Sequence, residues 1–235
     1  MPRRLWLAAP LALVLMLAQT SGCAAPRRLD APANPPRERD AQSVDREVYT
    51  DLIRSMLDQK QYYAALAHVE QRRVAGGGDR DELNYLEAEA RRGLGQIAAA
   101  DALYQSLLRS PLAAQAYHGL GLLHARTEPA RSIAFLREAA RLRPTDADVR
   151  NDLGYALLTA RRHREALHEL ATAVELAPES TTARNNLLLL MMVQGDEAAV
   201  SRIAREAAVP PETISRLRER ARILSATPTA SGGRG

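Results

Sequence analysis

The sequence predicts an all-α solenoid of about five helix pairs, closed by one C-terminal helix. Three observations predict it. Prolines recur at Pro111, Pro144, Pro178 and Pro211, spaced 33, 34 and 33 residues apart. The same leucine and small-residue positions return within each interval. Aromatic residues make up only 4% of the chain. A core must then be built from Leu, Ala and Val, which suits closely packed helix pairs.

The best unit runs from Asp146 to Pro178. Leu153-Gly154 is followed by Ala166, Leu170, Ala173 and Pro178. This is the signature of a helix–turn–helix repeat of about 34 residues, the tetratricopeptide (TPR) repeat. Gly154 and Ala166 let two helix backbones approach, and Leu153, Leu157, Leu170 and Val174 fill the seam. Pro178 ends the second helix, because its ring clashes with a continuing helix and its nitrogen has no proton to donate. One unit cannot bury its apolar face alone, so neighbours are required.

In chain order, Met1–Gly22 reads as a signal peptide. Arg3 and Arg4 precede an apolar run from Leu5 to Ala18 that is too short to be taken first as a membrane span. Thr20-Ser21-Gly22-Cys23 resembles the lipobox of bacterial lipoproteins, with Thr20 where that family prefers an aliphatic residue. The resemblance implies cleavage before Cys23 and its acylation. Each buried methylene adds about 0.8 kcal/mol of membrane affinity, so several acyl chains anchor for good. The plainer alternative is an ordinary signal peptide with an unpaired cysteine. Cys23 is the only cysteine, so no internal disulfide can form. Ala24 after the cysteine, by resemblance to enterobacterial sorting, favours the outer membrane at its periplasmic face. Residues 23–43 are rich in proline and charge and read as a disordered tether.

Residues 44–211 read as the repeat domain. Helices are expected at about 44–59, 61–74, 80–94, 96–109, 113–125, 129–142, 146–160, 163–176, 180–194 and 196–207. The first unit is degenerate, as a capping repeat often is. In the third, the inter-helix turn is one residue shorter and Ser132 replaces the first alanine. After Pro210-Pro211, Ile214, Leu217, Ala221 and Leu224 recur at helical spacing. That predicts a capping helix over 212–224 that solvates the last repeat. Residues 225–235 read as a disordered tail.

In TPR arrays the first helix of each pair lines the concave face. Two residues before each unit's leucine stand Asn84, His118, Asn151 and Asn185. Asparagine carries a donor and an acceptor, which suits capture of an extended peptide backbone. Arg91, Leu122, Tyr155, Leu158, Leu189 and Met192 complete the candidate groove. The competing reading is that these asparagines only solvate exposed helices. The Lys/Asn/Lys/Arg clamp of chaperone-tail-binding TPRs is absent, since Lys60 is the only lysine and lies outside the groove.

The sequence offers no catalytic or cofactor chemistry. His163 and His168 are five residues apart and diverge on a helix, so they fail as a zinc-binding pair. Gly76–Gly78 does not sit between a strand and a helix, so it is no phosphate loop. The net charge of +4 falls to about +2 without Arg3 and Arg4, and no aromatic platforms accompany the arginines. No catalytic residue, metal, cofactor, nucleic acid or small-molecule substrate is expected.

Arg150–Leu158 (RNDLGYALL), Glu169–Pro178 (ELATAVELAP) and Ala183–Val200 (ARNNLLLLMMVQGDEAAV), with the lipobox, the size and the capping helix, resemble the TadD family. These are the TPR lipoproteins of tight-adherence (Tad, or Flp) pilus loci. The resemblance implies a pilotin-like, outer-membrane-anchored adaptor for a secretin or another part of that pilus secretion machine. Two alternatives stay open. One is a TPR adaptor for another envelope system, such as type IV pilus secretin, peptidoglycan hydrolase or barrel assembly. The other is a regulatory subunit of an envelope enzyme.

Overall fold

The computed structural model describes the backbone of residues 38–226 and the side chains of residues 47–226. The signal segment, Cys23, most of the proline-rich stretch and residues 227–235 lie outside them. Among the described residues every regular element is an α-helix. The pairs are α1 (Glu38–Asp58) with α2 (Tyr62–Val74), α3 (Arg80–Gly93) with α4 (Ile97–Ser106), and α5 (Ala113–His124) with α6 (Pro129–Leu142). Next come α7 (Ala147–Thr159) with α8 (His163–Leu176), α9 (Thr181–Gln194) with α10 (Glu197–Glu206), and finally α11 (Pro211–Ala226). None is long and apolar enough to cross a membrane.

Most boundaries fall within two residues of the sequence expectation, because capping and turn residues set them. Asp79 accepts from the amides of Asp81 and Glu82, Asp146 from Asp148 and Val149, Ser180 from Ala183, and Asp196 from Ala199. Three ends differ. Helix α1 begins at Glu38, inside the stretch read as tether. Helix α11 runs to Ala226, past the expected end at residue 224. Helix α4 stops at Ser106, where tight backbone bonds from Leu107 to Tyr104 and from Ser110 to Leu107 close the turn.

The turn inside four of the five pairs holds a left-handed residue, and the shorter turn of the third pair does without one. The left-handed residue is Lys60 in the first pair (φ 60°), Gly95 in the second (φ 71°), Arg161 in the fourth (φ 60°) and Gly195 in the fifth (φ 75°). A Cβ disfavours that conformation by roughly 1–2 kcal/mol. Lys60→Gly is therefore expected to raise stability by about 0.5–1 kcal/mol, after the extra entropy glycine loses on folding. Denaturant unfolding of the two chains checks this.

Within a pair, small residues set the approach. A Cβ on Gly154 would lie 2.6 Å from Leu170 Cγ and 3.1 Å from the Leu170 backbone nitrogen. Leu136 fills the same place against Gly121. Ser132 is fully buried there, and its hydroxyl donates to the Gly121 carbonyl at 2.7 Å. That satisfies the hydroxyl which replaces the expected alanine.

Between pairs, each second helix packs on the next first helix: α2 on α3, α4 on α5, α6 on α7, α8 on α9. The buried core falls into three clusters. Ile53, Val69, Leu83 and Leu86 join the first two pairs. Ala100, Tyr104, Leu107, Ala116 and Leu120 join the second and third. The largest runs from Ile133 through Leu170 and Leu190 to Ala221 of α11.

Helix α11 packs on the last pair. By the stacking rule it would rest on α10. It packs instead on α9 and reaches α7. Arg220 lies 5.0 Å from the Tyr155 ring centroid and donates to its hydroxyl at 2.6 Å. Arg161 donates to the carbonyls of Leu224 at 3.3 Å and Ser225 at 3.0 Å. The Arg218–Glu197 pair ties it to the start of α10. Arg220, late in α11, thus helps hold the helix against α7.

Candidate partner-binding face

The residues expected to form one groove separate into three groups. At the N-terminal end, Asn84 accepts from Arg73 Nη2 at 2.8 Å. Arg91 donates to Glu87 Oε1 at 2.6 Å and to Gln96 at 2.7 Å. Glu87, which periodicity alone gave no reason to single out, is buried between Arg73 and Arg91. Burial alone would raise its pKa, but the hydrogen bonds from Arg73 and then Arg91 outweigh it and hold the carboxyl below the ordinary value. A depressed folded-state pKa contributes stability above the unfolded value, and that stability is lost as pH falls through the folded value. Glu87→Gln is expected to cost about 1 kcal/mol at neutral pH, since the arginines are partly solvated. It should also flatten the loss of stability below about pH 4.5, where the free carboxyl titrates. Unfolding free energy measured across the acid range checks both.

The second group is a polar chain across three first helices. His118 Nε2 on α5 bonds Asp152 Oδ2 on α7 at 2.7 Å. Asn151 Nδ2 donates to Asp152 Oδ1 at 3.1 Å. Asn186 Nδ2 on α9 donates to Asn151 Oδ1 at 2.8 Å. Asn151 is only 7% exposed and already paired on both sides, so it is not open to a peptide. This corrects the groove reading at that position. A buried amide takes the partner nearest to it, and here the neighbouring repeats supply it. Asp152 and Asn186 were missed. Their place directly after Asn151 and Asn185 in the repeat register was the available signal.

The third group lies along α7, α9 and α11. Leu158 and Leu189 are 2% and 0% exposed, and neither is a groove residue. The reason is α11. Leu158 lines a small cleft closed by Leu224. Asn185 and Met192 line clefts bordered by Leu217 and Ala221 of α11. Leu189 stands between them on the same helical face and is covered. Tyr155 is held by Arg220 on this side.

The most apolar open cleft lies between the third and fourth pairs. It is a cavity of about 490 Å³ whose lining includes Leu122, Ala125, Arg126, Leu136, Tyr155 and Ala156. It brings together two residues the sequence proposed, Leu122 and Tyr155. Its wall is mostly apolar carbon, with Arg126 and Asp152 at the polar edge. No group of three His, Cys, Asp or Glu side chains is placed to hold a metal among the described residues.

No family model matches the chain. A TPR repeat-containing protein of Pseudomonas aeruginosa is 37% identical over 217 residues, spanning 92% of this chain and 85% of the relative. The chain belongs to the TPR repeat-containing proteins. Solved structures agree on the TPR fold at lower identity. PilF of Pseudomonas aeruginosa has a TM-score of 0.60 at 14% identity, over 79% of this chain and 89% of PilF. A thermophilic TPR protein of Thermus thermophilus has a TM-score of 0.59 at 19% identity, over 76% of this chain and 98% of its own. MamA of Desulfovibrio magneticus has a TM-score of 0.52 at 18% identity, over 75% and 95%. TPR proteins are generally interaction scaffolds, and the fold points to protein partners.

Proposed function

We propose that this TPR protein is a lipid-anchored envelope adaptor for assembly of a tight-adherence (Tad/Flp) pilus machine. Lipid on Cys23 fixes it to the periplasmic face of the outer membrane. The proline-rich stretch gives it reach, and the first-helix face captures one segment of a secretin or another pilus component. Anchoring raises the effective concentration of the partner, so modest affinity suffices. The observation that carries the interaction part is the open apolar cleft between the third and fourth pairs, on a face where Asn151 is tied up by its own hydrogen bonds and Leu158 and Leu189 are buried. The pilus part is supported by the family wording of Arg150–Leu158 and Ala183–Val200, and by the shared fold with PilF.

The test is affinity capture from solubilised envelopes with three chains: wild type, Cys23→Ser, and the double variant Leu122→Glu with Asn185→Arg. The expected result is a secretin or pilus component enriched by wild type, lost with the double variant while helicity is kept. Cys23→Ser should leave the membrane fraction. Capture of wall hydrolases or barrel-assembly proteins alone would move the assignment to another envelope system. Equal capture by the double variant would move binding to the second helices or the N-terminal stretch.

A further inference from the structure

The TPR array contains the same inter-repeat cleft twice, once open and once filled. Ala125 and Arg126 of the open cleft correspond to Leu158 and Thr159 of the next one, 33 residues on. Pro129 and Thr159 correspond to His163 and Val193, 34 residues on. The second cleft is lined in addition by Leu224 and Ser225 of α11, and its cavity is only about 170 Å³ against about 490 Å³ for the first. The occupant of the second cleft is therefore known: the last turn of an amphipathic helix. It presents one leucine to the cleft. Its final carbonyls, which have no partner within a helix, receive hydrogen bonds from Arg161 at the rim. A cation at a helix C-terminus also meets the favourable end of the dipole.

The open cleft keeps the apolar part of this arrangement with no occupant among the described residues of its own chain; its shorter turn has no counterpart of Arg161, and its rim cation is instead Arg126, at the place of Thr159. Its lining is apolar at Leu122, Ala125, Leu136 and Ala156. Arg126 is exposed at its rim, and no carboxylate pairs with it among the described residues. We infer that the cleft between the third and fourth pairs receives the C-terminal turn of an amphipathic helix from a partner protein. A leucine of that turn enters the cavity, and its last carbonyls, or a terminal carboxylate, meet Arg126. This rests on the adaptor reading above and names the kind of segment the adaptor takes. An extended peptide of the sort the asparagine column suggested would find those amides already bonded. A second copy of this chain is the weaker occupant, because α11 is held in its own chain by Tyr155 and Arg161.

The test uses the full chain and a fluorescent peptide of residues 211–226, with a Leu224→Glu version as control. Anisotropy should show saturable binding of the first peptide. The Leu224→Glu peptide should bind about tenfold or more weakly. Ala125→Glu and Arg126→Glu in the chain should each weaken binding by a similar factor. Both sites are exposed, so folding is kept, and circular dichroism verifies it. Arg141→Ala, on the outer side of α6, should leave binding unchanged.

Unchanged binding to Ala125→Glu and Arg126→Glu would overturn the inference, as would no binding at about millimolar peptide. Binding that rises with Arg161→Ala but ignores the cleft variants would mean the peptide only replaces α11, which also overturns it. Self-association of the chain, lost with Ala125→Glu, would make a second copy the occupant and overturn the assignment to a separate partner. If Ala125→Glu still captures the envelope partner of wild type, the adaptor reading stands and this site alone falls.

Discussion

Tyr104→Ala is expected to cost about 3–5 kcal/mol, the range for deleting a fully buried aromatic side chain. Tyr104 is 0% exposed and is the largest side chain of the middle cluster. Its ring fills the space left by Gly119 on α5, and its hydroxyl donates to Glu89 while accepting from Arg92. Burial first, and then the Glu89 charge, push the phenol pKa far up, so it stays a neutral donor at any working pH. Alanine would leave a cavity between α4 and α5 and strip one partner from the Glu89–Arg92 pair. Repeat arrays are held by nearest-neighbour interfaces, so the loss falls on the joint between the second and third pairs. We expect one unfolding transition to become two, with the first two pairs melting ahead of the rest. Thermal unfolding followed by circular dichroism tests this. Tyr104→Phe should keep one transition and cost about 1 kcal/mol, the worth of a hydrogen bond. A single unchanged transition for alanine would show that the middle cluster does not couple the halves.

Leu189→Ala should cost about 2–5 kcal/mol, as leucine deletion does in a packed core. Asn185→Ala, one turn earlier on α9, should stay within about 0.5 kcal/mol, as partly exposed surface changes do. Leu189 is fully buried, in the cluster that includes Leu217 and Ala221 of α11. If Leu189 belonged to an open groove, the two substitutions would have similar, small effects. Urea unfolding of both variants decides it. Denaturation of Leu189→Ala should also loosen α11, which protease cutting after Arg216 or Arg218 would report.

Periodicity carried most of the fold. Proline spacing located the units, and the caps at Asp79, Asp146, Ser180 and Asp196 placed helix starts within a residue. These are local features, each set by residues within about one turn. Leu122 and Tyr155 were also legible, because repeat register puts them on the first-helix face. Asn151, Leu158 and Leu189 share that register and were misplaced. Register says which way a side chain points. It does not say what lies over it. Asn151 is covered by its bonds to Asp152 and Asn186, and Leu158 and Leu189 by α11, which comes later in the chain.

The sequence by itself determined the helices, their pairing and the small residues that let pairs close, because all of these depend on neighbours near in the chain. Only the tertiary structure decided where α11 goes. Its apolar stripe of Ile214, Leu217, Ala221 and Leu224 would satisfy a seat on α10 as well as one on α9. On α9 the stripe buries Leu217 and Ala221 in the shared core, and at the edge Arg220 meets Tyr155 while Arg161 meets the carbonyls of Leu224 and Ser225. Those arginine contacts span more than 60 residues. Pairings at that distance are set by how every intervening repeat stacks, and no local pattern encodes them.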